Sequence, residues 1–297
     1  MRIWITGAGG FLGLRLCRTL AALGEDVVGF VSRPCSLPFS APIVIDLAGP
    51  AAADLMVREA RALGRPDVVI HLASLQPAPI HSVADYVRGN INTTANLADA
   101  LRKTGFGRCI YTSTVSVYGR QPPGPIRESQ TPNPDHPYGV TKLAAESLLK
   151  TAEDLGEVLI LRLASLFGSG QGDSLVDGLV RRAKANEEIR LLSRGRIRRD
   201  VLYIDDVVTA ISQCLQSTMP EKRCTFNLGS GSSFSIRDYA VQIVNALHSS
   251  SSLVELDEAP ALAYDQVIDI ASAQRFLSFR PRPFPSALKD YLHELPR

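Results

Sequence analysis

Arg2-Ile3-Trp4-Ile5-Thr6-Gly7-Ala8-Gly9-Gly10-Phe11-Leu12-Gly13 decides the fold class of this chain. Its first five residues are apolar and β-prone, as a strand buried on both faces of a parallel sheet should be. Leu14 to Gly24 then reads as a helix closed by a glycine. The glycines at 7, 10 and 13 share a reason. They allow a tight turn, bring backbone close to a pyrophosphate and let the helix pack tightly on the strand. The helix N-terminus faces that turn with unpaired N–H groups, which suit phosphate oxygens. Gly7, Gly10, Phe11, Leu12 and Gly13 are therefore candidate binding residues for a dinucleotide cofactor.

Working outward, Asp26-Val27-Val28-Gly29-Phe30-Val31 reads as a second strand. An NAD-selecting fold usually places an acid at its end, on the ribose 2′-hydroxyl. Here that end carries Val31, then Ser32 and Arg33. Without the carboxylate a 2′-phosphate is not repelled, and Arg33 can bind one. NADP is thus favoured, with NAD the alternative. Ile43 to Leu47 reads as a third strand, with Asp46 and Leu47 placed for the adenine end. Pro66 to Ala73 reads as a fourth, Val83 to Lys103 as a helix, and Arg108 to Thr114 as a fifth strand ending in hydroxyls. Strands alternating with helices predict an α/β fold, a Rossmann-type doubly wound parallel sheet with a smaller C-terminal α/β lobe.

Composition narrows the function. The net charge of +2 is too small to argue for nucleic acid or an anionic membrane surface as partner. No apolar run approaches the ~18 residues of a membrane span. The five cysteines are widely spaced with no C-x-x-C, which predicts reduced thiols in a cytoplasmic protein. Five histidines show no metal-ligand spacing, so no metal is expected. No secretory leader is expected either, since the first residues already read as the strand.

Tyr138-Gly139-Val140-Thr141-Lys142 supplies the chemistry. Pro137 suits the first turn of a helix, and the residues that follow are good helix formers. Four residues apart, Tyr138 and Lys142 share one helix face. A nearby ammonium favours the phenolate, so the pair predicts a tyrosine able to act as acid or base near neutral pH. Composition alone supplies such a pair in roughly one chain in six, so its context carries the argument.

That context resembles the extended short-chain dehydrogenase/reductases, the NAD-dependent epimerase/dehydratase (sugar-nucleotide) family, over nearly the whole chain. The motifs run in order: the glycine turn, His71-Leu72-Ala73, Asn90-Ile91-Asn92-Thr93-Thr94, Thr114-Val115-Ser116-Val117-Tyr118-Gly119, Tyr138 to Lys142, Leu161 to Gly168, Arg199 to Val207 and Phe226 to Gly231. The resemblance implies that Tyr138 is the acid/base on a sugar hydroxyl. Lys142 would lower its pKa and bind the nicotinamide ribose. Thr114 would hydrogen-bond the reacting oxygen, with Ser113 as runner-up. Leu72, Ala73 and Asn90 would lie along the cofactor, Asn90 also supporting the catalytic helix. Arg199 would hold the diphosphate of a sugar nucleotide, a task that suits a guanidinium. Dehydratases of this group carry Asp-Glu after the threonine. Val115 and Ser116 stand there, so dehydration is not expected. Asparagine is usual where Ser165 stands, at a substrate contact.

The domain expectation is a dinucleotide-binding domain over 1–164, with 197–230 returning to it, and a substrate lobe of 165–196 and 231–297. Among Arg190, Arg194, Arg196, Arg198 and Arg199, only Arg199 is expected to clamp an anion; the rest read as solvated. The expected function is hydride transfer at a sugar carbinol or ketone, as epimerase or 4-keto-sugar reductase, in a homodimer. Two alternatives remain. One is a dehydrogenase of a free sugar, sugar acid or small carbonyl compound. The other is a non-catalytic NADP-sensing protein, which has no need of the Thr114, Tyr138 and Lys142 side chains.

Overall fold

The computed structural model describes residues 1–37, 41–122, 124–259 and 264–295. In chain order the first elements are β1 (Arg2–Thr6), α1 (Phe11–Ala22), β2 (Asp26–Val31), β3 (Ile43–Val44), α2 (Ala52–Leu63), β4 (Val68–His71) and α3 (Val83–Tyr86). A π-helical turn, Val87–Asn92, leads into α4 (Thr93–Thr104), and β5 (Arg108–Thr114) ends in a 3₁₀ turn at Val115–Tyr118. Then come α5 (Pro137–Thr151), β6 (Glu157–Leu163), β7 (Ser165–Phe167), α6 (Leu175–Lys184) and β8 (Ile189–Leu191). The remainder is β9 (Arg198–Arg199), β10 (Val201–Tyr203), α7 (Ile204–Gln216), β11 (Arg223–Leu228), β12 (Phe234–Ser235), α8 (Ile236–Ala246), β13 (Leu253–Glu255), α9 (Ala271–Phe276) and α10 (Phe284–Glu294).

Seven strands form one sheet in the order β11-β6-β5-β4-β1-β2-β3. β1 pairs in parallel with both β2 and β4, and β4 with β5. This is the doubly wound α/β sheet that the alternating pattern predicts. From β1 the chain moves outward to β2 and β3, then returns to β4 on the other side. In such sheets ligands bind beyond the carboxyl ends of the strands where the winding reverses. Here that place lies after Thr6 and His71.

The chain divides into two compact units. The first holds Met1–Arg120, Gln130–Arg162 and Val208–Phe226. Its core joins Trp4, Phe30, Met56, Leu97, Leu101, Tyr111, Leu149 and Ile160. β1, β2 and β4 are apolar along nearly their whole length, and all their interior positions but Val28 are buried. The second unit holds Gln121–Ser129, Leu163–Val207 and Asn227–Arg297. The segment returning to the first unit is therefore 208–226, shorter than the expected 197–230. The reason is local pairing: β9 pairs with β12 and β10 with β7, inside the second unit. The second unit has its own aromatic centre, where Phe284 lies 5.7 Å from Phe167 and 4.6 Å from Tyr239 between ring centroids.

Two local expectations change. The strand expected over Ile43–Leu47 is only Ile43–Val44, because Asp46 starts a turn and accepts Ala48 N–H at 3.0 Å. The helix expected over Val83–Lys103 is interrupted by the π turn, which contains Asn90.

Candidate active site

The glycine turn is built by close backbone approaches. Gly7 has φ +70, and a Cβ on it would meet Ala73 N at 2.8 Å. On Gly13 a Cβ would collide with the Gly7 carbonyl and come within 2.9 Å of Ala8. Both positions need glycine for space, and Gly7 needs it for conformation as well. Gly10 caps α1, no side chain caps that end, and the first turn carries no acid. The Phe11, Leu12 and Gly13 region thus offers backbone N–H groups and a positive dipole end to an anion. The residues present fit the pyrophosphate of a dinucleotide: small where it must approach and uncharged at the helix start. Leu72 and Ala73 are tied to the same turn, donating to Thr6 O at 3.2 Å and Thr6 Oγ1 at 3.3 Å. Ser32 and Arg33 follow the end of β2 and are exposed. Asp46 is ion-paired with Arg88 at 2.5 Å, and Leu47 is buried with its carbonyl accepting from Asn96.

Tyr138 begins α5 for a readable reason. His136 caps the helix, its Nδ1 accepting Tyr138 N–H at 3.1 Å, and Pro137 fills the first turn. The tyrosine is buried, and its phenol donates to Gln76 Oε1 at 3.4 Å. The hydroxyls of Ser74 and Thr114 also bond it. One turn on, Lys142 is buried, donates to Thr112 O at 2.6 Å and lies 4.2 Å from the centre of the Tyr111 ring. The structure therefore brings Thr114, Tyr138 and Lys142 to the end of β5 and the start of α5. Thr114 is itself held by Ser116, whose N–H donates to Thr114 Oγ1 at 3.1 Å.

The electrostatics correct one expectation. Burial pushes the Tyr138 phenol up to about 12, and the bonds from Ser74, Thr114 and Gln76 only partly offset this. The phenol thus lies above its ordinary value, where the Lys142 spacing predicts a lowering. Burial brings Lys142 down to about 7, against an opposing pull from Glu146. Desolvation penalises the charged form of each group.

Other assigned residues have different duties. Both ends of the Asn90 amide are used within the protein: Nδ2 donates to Thr141 Oγ1 at 2.9 Å and Oδ1 accepts Leu75 N–H at 2.8 Å. These two bonds brace α5 against the loop after β4. Ser113 Oγ donates to Glu146 at 2.5 Å, so its proton is committed to α5. Ser165 and Arg199 belong to the second unit. Ser165 is exposed on β7 opposite Val201. Arg199 is half-buried, donating to the carbonyls of Tyr264 and Arg198. Arg190 and Arg194 pair with Glu188 and Asp257, and Arg198 donates to Ser233 O at 2.6 Å.

Four residues around the pair escaped the sequence reading: Ser74, Gln76, Glu146 and Arg162. Ser74 and Gln76 sit in an irregular loop, where spacing carries no face information. Glu146 stands four residues after Lys142, and that i, i+4 spacing was the available signal. His71 is also buried. Its ring nitrogens lie 2.7 Å from Thr6 Oγ1 and 3.1 Å from Thr94 Oγ1, and burial, with Lys142 nearby, takes it down to about 3. It is a neutral core histidine. Among the described residues no cluster could hold a metal ion and no helix is long and apolar enough to cross a membrane.

The chain is similar to known proteins in sequence and fold. A family model described as NAD dependent epimerase/dehydratase family matches residues 3–229. GDP-6-deoxy-D-mannose reductase of Pseudomonas aeruginosa is 34% identical, over 80% of this chain and 77% of its own. A 2-alkyl-3-oxoalkanoate reductase of Stenotrophomonas maltophilia is 30% identical, over 83% of this chain and 76% of its own. Among solved structures, UDP-glucuronic acid 4-epimerase of Bacillus cereus, in complex with UDP-glucuronic acid and NAD, matches with TM-score 0.85 and 26% identity, over 100% of both chains.

Proposed function

Because the chain belongs to the NAD-dependent epimerase/dehydratase family, we propose that it is an oxidoreductase acting on a sugar nucleotide, with Tyr138 as its acid/base. The observation that carries this reading is the convergence of Tyr138 with Thr114 and Lys142 beside a glycine turn shaped for pyrophosphate. A bound nicotinamide cofactor supplies or accepts the hydride. The chain does the rest. Thr114 Oγ1 and the Tyr138 phenol hold the reacting carbinol oxygen between them, and Tyr138 takes or returns its proton. Lys142, titrating at about 7, places a positive charge behind the phenol in the acidic and neutral range. With Val115 and Ser116 after Thr114, the site has no Asp-Glu pair for removing water.

Epimerase and 4-keto-sugar reductase share this half-reaction. The absence of a carboxylate at Val31 and the exposure of Arg33 support NADP, and with it a reductase that exchanges cofactor. The NAD in the Bacillus cereus epimerase supports the other choice. A cytoplasmic homodimer fits as well: all five cysteines are free thiols, and Val83, Val87, Val140 and Leu148 leave apolar surface on packed neighbouring helices.

The test is a thermal-shift screen with UDP-, GDP-, dTDP- and CDP-sugars in the presence of NAD or NADP. A sugar nucleotide that binds the folded state raises the melting temperature. No shift from any of them overturns the reading. It would favour the second one, a reductase of a small carbonyl compound, which the Stenotrophomonas relative and the serine at 165 support.

A further inference from the structure

α5 is docked on β5 by a ladder of polar contacts at one-turn intervals. Tyr138 meets the Thr114 hydroxyl. Lys142 Nζ donates to Thr112 O at 2.6 Å. Glu146 accepts from Ser113 Oγ at 2.5 Å. The third rung is the most elaborate. Arg162 on β6 holds the Glu146 carboxylate with two bonds, Nε to Oε1 at 3.0 Å and Nη2 to Oε2 at 2.7 Å. Glu146 is 0% exposed and Arg162 3%. The guanidinium lies 4.7 Å from the centre of the Tyr118 ring, in the 3₁₀ turn that follows Thr114. Lys150 reaches the same carboxylate at 3.6 Å.

A buried ion pair is a poor stability device, since its desolvation cost rivals its attraction. Geometry gives this one another use. Its serine lies between the two β5 residues that the catalytic pair touches, and its carboxylate lies one turn beyond Lys142 on the same helix face. We propose that Glu146, held by Ser113 and Arg162, is a positioning residue for the reaction. It fixes the register of α5 on β5, keeping the Tyr138 phenol against Thr114, and it supplies the negative charge behind the Lys142 ammonium. This rests on the reading of Tyr138 and Lys142 as the proton-moving pair and deepens it.

The groups facing Lys142 define the expected sign. From β5 they are the Tyr111 ring and the Thr112 carbonyl. From β4 comes His71, neutral because burial holds it far below its usual range. From α5 itself comes Glu146, which works against burial and favours the ammonium. Arg162 on β6 stands behind that carboxylate. Neutralising Glu146 therefore moves the Lys142 titration to lower pH, and the ammonium is lost under more acidic conditions.

The experiment uses the full chain labelled with ¹⁵N-lysine, the Lys142 resonance being assigned by Lys142→Met. In Glu146→Gln the Lys142 midpoint should fall by about one pH unit or more. Turnover of the nucleotide sugar selected by the thermal-shift screen should fall about tenfold in kcat, with KM changed by less than about threefold. Ser113→Ala removes the register contact and keeps the charge, so kcat should fall severalfold with the midpoint unmoved. An unchanged midpoint and kcat in Glu146→Gln overturn the proposal, as does a rise in KM alone. If Glu146→Gln does not fold, full kcat in Ser113→Ala overturns it and a loss of kcat supports it. The titration needs no substrate, so it stands even if the sugar-nucleotide reading fails.

Discussion

The junction of β5 with α5 and the arginine stretch over 190–199 carry charge in opposite ways. At the junction, Lys142, Glu146 and Arg162 are buried and each meets a partner from a regular element. In the arginine stretch, short strands and turns hold the side chains. Arg190 and Arg194 are exposed and ion-paired, while Arg198 and Arg199 donate to backbone carbonyls. Regular elements fix distance, which proton transfer needs. Turns fix only neighbourhood, which suffices for recognising an anion and leaves room for selectivity to vary.

The largest expected effect breaks the first region. Tyr138→Phe removes the proton-moving group and leaves the ring, so kcat should fall by roughly 10²–10⁴-fold while cofactor affinity, measured by calorimetry, stays within about threefold. Undiminished turnover would show that the junction is not where the chemistry occurs. Arg199→Ala probes the second region. As a diphosphate clamp it should weaken sugar-nucleotide binding about tenfold, with NAD(P) affinity unchanged. Equal losses for both ligands would show that its bonds to the Tyr264 and Arg198 carbonyls serve only the fold. Arg33 resembles that region in character, an exposed loop guanidinium. Arg33→Ala should cut the NADP-to-NAD affinity ratio severalfold, and a native preference for NAD that the change leaves alone would remove the 2′-phosphate role.

The smallest effect concerns stability. Asp200 is buried, Oδ1 accepts Ser230 N–H at 2.7 Å, and burial pushes its carboxyl up to about 7. An unfolded aspartate titrates near ~3.9. Between those values the folded chain holds a proton that the unfolded chain has released, so this residue's contribution is lost as pH rises from about 4 to 7. Asp200→Asn should flatten that slope, raising the melting temperature at pH 8 relative to pH 5 by about a few degrees against the parent protein. An identical pH slope would show that the carboxyl does not titrate there.

Much of this was legible in residue order. β1, β5 and the start of α5 fall where alternating apolar runs, terminal hydroxyls and Pro137 put them. The glycines at 7 and 13 stand where backbone must touch backbone. Asn90 was harder, because a π turn rotates the helix face and spoils a 3.6-residue count. Ser74 and Gln76 were not legible, since an irregular loop has no period from which to read which side chains turn toward Tyr138.

By itself the sequence determined the alternation of strands and helices, the phosphate-binding turn and the helical pairing of Tyr138 with Lys142, because these follow from local periodicity and backbone sterics. Tertiary structure alone decided that the Ser113 hydroxyl is spent on Glu146. It also decided that burial raises the phenol above its ordinary value. Desolvation depends on everything packed around a group, and no spacing within one segment encodes it.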